Sequence, residues 1–203
     1  MLNLHVRPAV GRVVDPLAGG LLRAGVSPDA VTVLGTSGAV IAALVYFPRG
    51  KFLAGTLLVT ACVLTDLLDG AMARRRGTTS RFGAWLDSTC DRVADSAIFS
   101  GLVLWYTAGG HDRLLAGVAL FCLVAGSVVS YAKARAEGLG MSCNVGLAER
   151  AERLILVLVG TGLVGFGLPS AVLTVALWVL AAASAVTVIQ RLVEVRRQAG
   201  GPV

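Results

Sequence analysis

Aspartates at the ends of membrane-length apolar runs leave a chain few ways to fold. From Asp66 to Asp91 the sequence reads Asp66-Leu-Leu-Asp69-Gly70-Ala-Met-Ala73-Arg74, eight further residues, then Gly83-Ala-Trp-Leu-Asp87-Ser-Thr-Cys-Asp91. Four of the chain's 12 acidic residues fall in this stretch. An uncompensated carboxylate at membrane depth costs on the order of several kcal/mol. Asp66 and Asp69 are three apart and Asp87 and Asp91 four apart, so on helices each pair projects from one face. Two such helices side by side converge four carboxylates on one point. An oxygen-only donor set suits a hard cation, Mg²⁺ or Mn²⁺, whereas zinc would recruit Cys or His. Four carboxylates also suffice to bridge two metal ions, the arrangement that clamps attacking and leaving oxygens in phosphoryl displacement. Gly70 and Gly83 clear space beside the carboxylates for a backbone or a diphosphate. Arg74 offers a planar guanidinium to a phosphate from the same face.

These residues fit D-x2-D-G-x2-A-R-x8-G-x3-D-x3-D at every defined position, which resembles the signature of the CDP-alcohol phosphotransferase family. The resemblance implies displacement on a CDP-linked lipid: an acceptor hydroxyl attacks the β-phosphorus and CMP leaves. By motif position, Asp66 and Asp87 would bridge two Mg²⁺ ions, with Mn²⁺ as a substitute. Asp69 would bind the first ion, and Asp91 the second while also serving as catalytic base. Gly70, Arg74 and Ser80 would contact the CDP portion of CDP-diacylglycerol. Pro28-Asp29-Ala30-Val31-Thr32 resembles the short element preceding the family's first membrane helix, so Asp29, Ala30, Val31 and Thr32 join the nucleotide pocket.

Composition sets the surroundings of this motif. The chain has 203 residues, 56% hydrophobic and 15% charged, with a mean hydropathy of +0.78. That is one membrane domain across 1–203, not a soluble core. Residues 1–26 mix Arg7, Arg12, Asp15 and Arg23 with Val10, Val13, Val14, Leu17, Leu21 and Leu22, a roughly helical amphipathic spacing that fits the membrane interface. Within 27–203, Ser27-Pro28-Asp29 starts a first helix running from about Ala30 to Phe47. Further helices follow from about Phe52 to Arg74, Phe82 to Tyr106, Leu114 to Ala136, Glu149 to Gly167 and Ala171 to Gln190. The expected fold is an all-α integral membrane domain of six transmembrane helices, preceded by an N-terminal amphipathic interfacial helix.

Of the 18 basic residues, only Arg49, Lys51 and Arg113 fall in outer loops of this layout. The positive-inside rule then puts both termini and the aspartates on the cytoplasmic side, and the resemblance implies a bacterial cell membrane. The formal charge of +6 reads as contact with anionic membrane lipids, not nucleic acid. No removable signal peptide is evident in the first 25 residues. His111 has no partner His or Cys for a metal, and Cys62, Cys90, Cys122 and Cys143 show no paired framework. Asp95 continues the row of Asp87 and Asp91 outside the signature and reads as a supporting partner, such as of an arginine.

The second half bears on the acceptor. Lys133, Arg135, Arg150, Arg153 and Arg191 lie at the cytoplasmic helix ends, where they serve either as topological anchors or as an anion pocket facing the metal site. Residues 130–153 look closely similar to the actinobacterial phosphatidylinositol phosphate synthases within the family. That resemblance implies that Lys133, Arg153 and Arg191, with Arg135 and Arg150 near them, bind the phosphate of 1D-myo-inositol 3-phosphate. Glycerol 3-phosphate is the alternative acceptor, because a basic pocket alone does not separate two phosphomonoesters. A divalent-cation transporter is a different class that intramembrane carboxylates bring into consideration. The clustering of the aspartates at one membrane face, without a broken helix pair or inverted repeat, argues against it. A catalytically dead scaffold would have lost motif residues, and none is lost. The family is typically homodimeric.

Overall fold

The computed structural model describes residues 14–77 and 80–200; the first half of the expected interfacial segment, 1–13, lies outside them. Every regular element among the described residues is helical. A short helix α1 covers 14–23. It is followed by α2 (Pro28–Tyr46), a 3-10 turn (Phe47–Arg49), α3 (Phe52–Val63) and α4 (Thr65–Arg76). Then come α5 (Arg81–Thr107), α6 (Arg113–Gly138), α7 (Arg150–Gly165) and α8 (Ala171–Gln198).

Helix starts follow their capping residues. Ser27 Oγ accepts from Ala30 N at 3.2 Å, Ser80 Oγ from Gly83 N at 2.8 Å and Asp112 Oδ1 from Leu115 N at 2.9 Å, opening α2, α5 and α6. Among the described residues, four stretches are long and apolar enough to cross a membrane: Pro28–Arg49, Phe52–Arg76, Arg113–Gly138 and Ala171–Gln198. Their outward side chains are apolar, Leu34 being 70% and Ile41 62% exposed, which in water would be an unexplained hydrophobic surface. The other two expected spans differ in character. α5 has ample length at 27 residues but carries Asp87, Asp91, Arg92 and Asp95 among its first 15. α7 has 16 residues, about 24 Å at 1.5 Å per residue, against a hydrocarbon core of about 30 Å.

The expected continuous helix from Phe52 to Arg74 is interrupted at Leu64. Thr65 Oγ1 donates to Cys62 O at 2.6 Å, the local back-bonding by which threonine competes with the helical ladder. A new helix therefore begins at Thr65, placing Asp66 and Asp69 in and just after its first turn. α8 departs the other way and continues two turns past Gln190.

The chain divides into two compact units, one comprising residues up to Ala42 with Leu58–Ala94, the other Ala43–Leu57 with Asp95 onward. In the first, Ala18 of α1 packs with Val31, Ala71 and Met72, flanked by Val14, Leu21, Leu22, Val26 and Leu68. In the second, α8 packs on both α6 and α7. Its buried stripe runs Leu173, Leu177, Leu180, Ser184, Thr187, Arg191, at alternating spacings of three and four. The upper half is apolar and the lower half polar.

Candidate active site

The first unit brings the carboxylates together. Asp66 and Asp69 stand three apart on α4, and Asp87 lies on α5; one carboxylate oxygen from each falls within 4.8 Å of the others. Asp69 is buried, Asp66 partly covered and Asp87 exposed. At an effective dielectric of about 20, each such pair of charges repels by about 3.5 kcal/mol. A divalent cation removes that repulsion, and an all-carboxylate donor set is the chemistry Mg²⁺ or Mn²⁺ takes. Asp91, expected as the fourth member, is not in this group; its Oδ2 lies 3.8 Å from Arg92 Nη2.

Around the triad stand the residues expected to read the nucleotide. Thr32 is buried, and its hydroxyl donates to Asp69 Oδ2 at 2.5 Å. Its other neighbour, Pro28 O, is at 3.2 Å. A hydroxyl has one hydrogen, and the shorter contact to a carboxylate takes it. Thr32, expected in the nucleotide pocket, has a metal-ligand candidate as its partner, 37 residues away. A Cβ built on Gly83 would sit 3.0 Å from Ser80 Oγ and 3.4 Å from Asp29 Oδ1. The absent side chain thus lets these two polar groups approach the first turn of α5. Arg74, Arg75 and Arg76 fill the last turn of α4, where cations complement the helix dipole. Gly77, at φ 66°, ends that helix in the left-handed region. Ala30 and Val31 lie in the first turn of α2, Val31 within the apolar cluster described above.

The second unit organises the basic residues differently from one another. Arg153 is 1% exposed. Its Nη2 donates to Asp95 Oδ2 at 3.0 Å and its Nη1 to Ala148 O at 3.2 Å. Arg150 Nε lies 3.5 Å from the other oxygen, Asp95 Oδ1. The arginine partner expected for Asp95 is thus found twice over, in Arg150 and Arg153. Arg191 is also buried, with Nε donating to Val145 O at 3.0 Å, Nη1 to Val129 O and Nη2 to Glu149 Oε1 at 3.4 Å. Among the described residues, two of its five N–H donors take no partner. Lys133 is half-buried and Arg135 exposed near the end of α6.

The sequence did not reveal how the connection 139–149 is fixed. Thr187 Oγ1 accepts from Leu147 N and Ala148 N, both at 3.0 Å, while donating to Ala183 O. Gln198 brackets Ser142, accepting from its N at 2.9 Å and donating to its O at 2.6 Å. With Arg191 these residues form the polar half of the α8 stripe, and their period of three and four was the available signal.

A family model for CDP-alcohol phosphatidyltransferases matches residues 25–189. The chain belongs to the CDP-alcohol phosphatidyltransferase family. It is an enzyme of that family, and the matched span contains every candidate residue named above except Arg191. The phosphatidylinositol phosphate synthase of Streptomyces avermitilis is 53% identical over 98% of this chain and 84% of its own length. That of Mycobacterium tuberculosis is 51% identical over 92% and 87%. Among solved structures, Mycobacterium tuberculosis phosphatidylinositol phosphate synthase with CDP-DAG bound superposes with a TM-score of 0.88 at 50% identity, covering 91% of this chain and 94% of that one. The same enzyme in complex with manganese and citrate gives 0.86 at 49%, over 90% and 88%. For this CDP-alcohol phosphatidyltransferase, the aspartate triad therefore fits a divalent-cation site by donor chemistry and by family.

Proposed function

We propose that the protein transfers the phosphatidyl group of CDP-diacylglycerol to 1D-myo-inositol 3-phosphate, releasing CMP and forming phosphatidylinositol phosphate. The observation that carries this reading is the match to phosphatidylinositol phosphate synthases over 98% of the chain. Two Mg²⁺ ions, or Mn²⁺ in their place, held by Asp66, Asp69, Asp87 and Asp91 would supply neutralisation of the diphosphate and of the departing CMP. Asp91, standing outside the close group of three, also takes the proton of the acceptor hydroxyl. Asp29, Ala30, Val31, Thr32, Gly70, Arg74 and Ser80 hold the CDP portion. Lys133, Arg153 and Arg191, with Arg135 and Arg150, take the acceptor's phosphate, for which a neutral acceptor would have no need.

The same reading makes the chain a multi-pass protein of the bacterial cell membrane with six spans, α5 and α7 included, and a homodimer. Its site and both termini face the cytoplasm, with α1 along the interface. The absence of charge from the part of α5 beyond Asp95 supports this, because Ala97–Tyr106 carries no charged side chain.

The test is CMP release by the purified protein with CDP-diacylglycerol, Mg²⁺ and inositol phosphate, beside divalent-cation flux in vesicles lacking nucleotide. CMP release without flux is expected; flux without CMP release would turn the acidic cluster into a transport path. Asp91→Asn is expected to abolish turnover while CDP-diacylglycerol still binds. Undiminished turnover would remove Asp91 as the base.

Thr32 yields a separate expectation. Thr32→Val removes the hydrogen bond that orients Asp69 and should raise the dissociation constant for Mn²⁺ by about 10–100-fold, with Thr32→Ser retaining wild-type affinity. Calorimetry on the detergent-solubilised protein reads this directly. Weaker CDP-lipid binding at unchanged Mn²⁺ affinity would assign the hydroxyl to the nucleotide instead.

A further inference from the structure

We propose that Asp95 is a positioning residue for the acceptor phosphate, holding Arg153 and engaging Arg150 in the pose that receives a phosphomonoester. The inference rests on the reading of Arg153 as an acceptor-phosphate ligand and adds to it a residue outside the family signature. Its basis is the geometry around one buried guanidinium. Arg153 is pinned at both terminal nitrogens, Nη2 on Asp95 Oδ2 at 3.0 Å and Nη1 on Ala148 O at 3.2 Å. Rotation about its last bonds would break one contact or the other. The Nε–H edge is different: among the described residues it has no acceptor, although it is buried. A Cβ on Gly126 would stand 3.1 Å from Nε and 3.4 Å from Cζ, so glycine at that position leaves the guanidinium its room.

Charge gives the arrangement a direction. A buried arginine with one carboxylate would be a neutral pair with little attraction for an anion. Here Asp95 meets two arginines, through Oδ2 to Arg153 and Oδ1 to Arg150 at 3.5 Å, leaving the trio with one net positive charge. Arg150 is the more open, its side chain 24% exposed against 2% for Arg153. Asp95 therefore offsets the cost of burying Arg153 without cancelling the positive charge that a phosphate requires. A planar guanidinium recognises a phosphate by fork geometry, so its orientation matters as much as its charge.

Asp95→Asn keeps the shape and one acceptor oxygen but removes the charge. The KM for the phosphorylated acceptor should rise by about 10–100-fold, because a guanidinium no longer held in its pose forfeits about one charge-assisted hydrogen bond to the phosphate, a loss that outweighs the gain in net positive charge, while the KM for CDP-diacylglycerol stays within twofold. Asp95→Glu, which restores the charge at a longer reach, should recover part of the difference. Inorganic phosphate should compete with the acceptor in the wild type and compete less well in Asp95→Asn. An unchanged acceptor KM, or equal rises in both KM values, would make Asp95 a structural ion-pair partner and overturn the proposal. If Asp95→Asn does not fold, the same two KM values in Asp95→Glu decide: a severalfold rise confined to the acceptor supports the proposal, and an equal or absent effect overturns it. Failure of the underlying reading shows earlier and separately. Wild-type protein that turns over only an unphosphorylated acceptor removes the phosphate site before any variant is made.

Discussion

Asp69→Asn is expected to lower CMP release by about a thousandfold, the equivalent of roughly 4 kcal/mol of transition-state stabilisation at 1.4 kcal/mol per tenfold. Asp69 is the buried member of three carboxylates whose oxygens lie within 4.8 Å, so the substitution removes a charge that bound cations would use. Its effect on folding should have the opposite sign. Without divalent cations the three carboxylates repel, and asparagine relieves that repulsion while keeping an acceptor oxygen for Thr32. Metal-free Asp69→Asn should therefore melt no lower than metal-free wild type. Adding Mn²⁺ should raise the melting temperature of the wild type and leave the variant nearly unmoved, as linkage to a ligand of the native state requires. A variant that melts far lower in EDTA would mean that Asp69 holds the fold and not a cation.

Arg153→Gln should be costly in two readouts at once. The acceptor KM should rise by about 100-fold or more, since a charged fork to a phosphate is lost along with its orientation. Folding stability should fall by roughly 3–5 kcal/mol, because removing one partner of a buried pair strands the other. Arg150 softens this by remaining near Asp95. Denaturant unfolding in detergent measures the second effect, and initial rates against each substrate the first. Equal rises in KM for acceptor and CDP-lipid would remove Arg153 from the acceptor site.

Physical reasons separate what was legible in the sequence from what was not. The convergence of Asp66, Asp69 and Asp87 follows from intrahelical spacing once α4 and α5 lie side by side, whereas Asp91, expected with them, stands outside the group of three. The Ser27 cap of α2 was equally local. The break at Leu64 was not legible, because a threonine that bonds back to Cys62 O and one that faces a neighbour have the same hydropathy. α8 was expected to stop at Gln190 because Arg191 ends the apolar run. The buried stripe instead continues through Thr187 and Arg191, whose partners at Val129, Val145 and Leu147 lie 40 to 62 residues away. Asp95 was visible as the next residue in the row of Asp87 and Asp91. Its pairing with both Arg150 and Arg153 depends on how α5 and α7 pack, which no local pattern encodes. Thr32 is the same case: capping and motif placed it near the nucleotide, while tertiary packing gave it Asp69.

Acceptor choice decides whether Lys133, Arg153 and Arg191 have a phosphate to hold. Purified protein with CDP-diacylglycerol and Mg²⁺ is offered 1D-myo-inositol 3-phosphate, free inositol or glycerol 3-phosphate, and CMP release is measured for each. Turnover with inositol phosphate alone is the expected result. Turnover with glycerol 3-phosphate alone would keep the aspartate chemistry and contradict the acceptor, and turnover with free inositol alone would also remove the purpose assigned to Arg153.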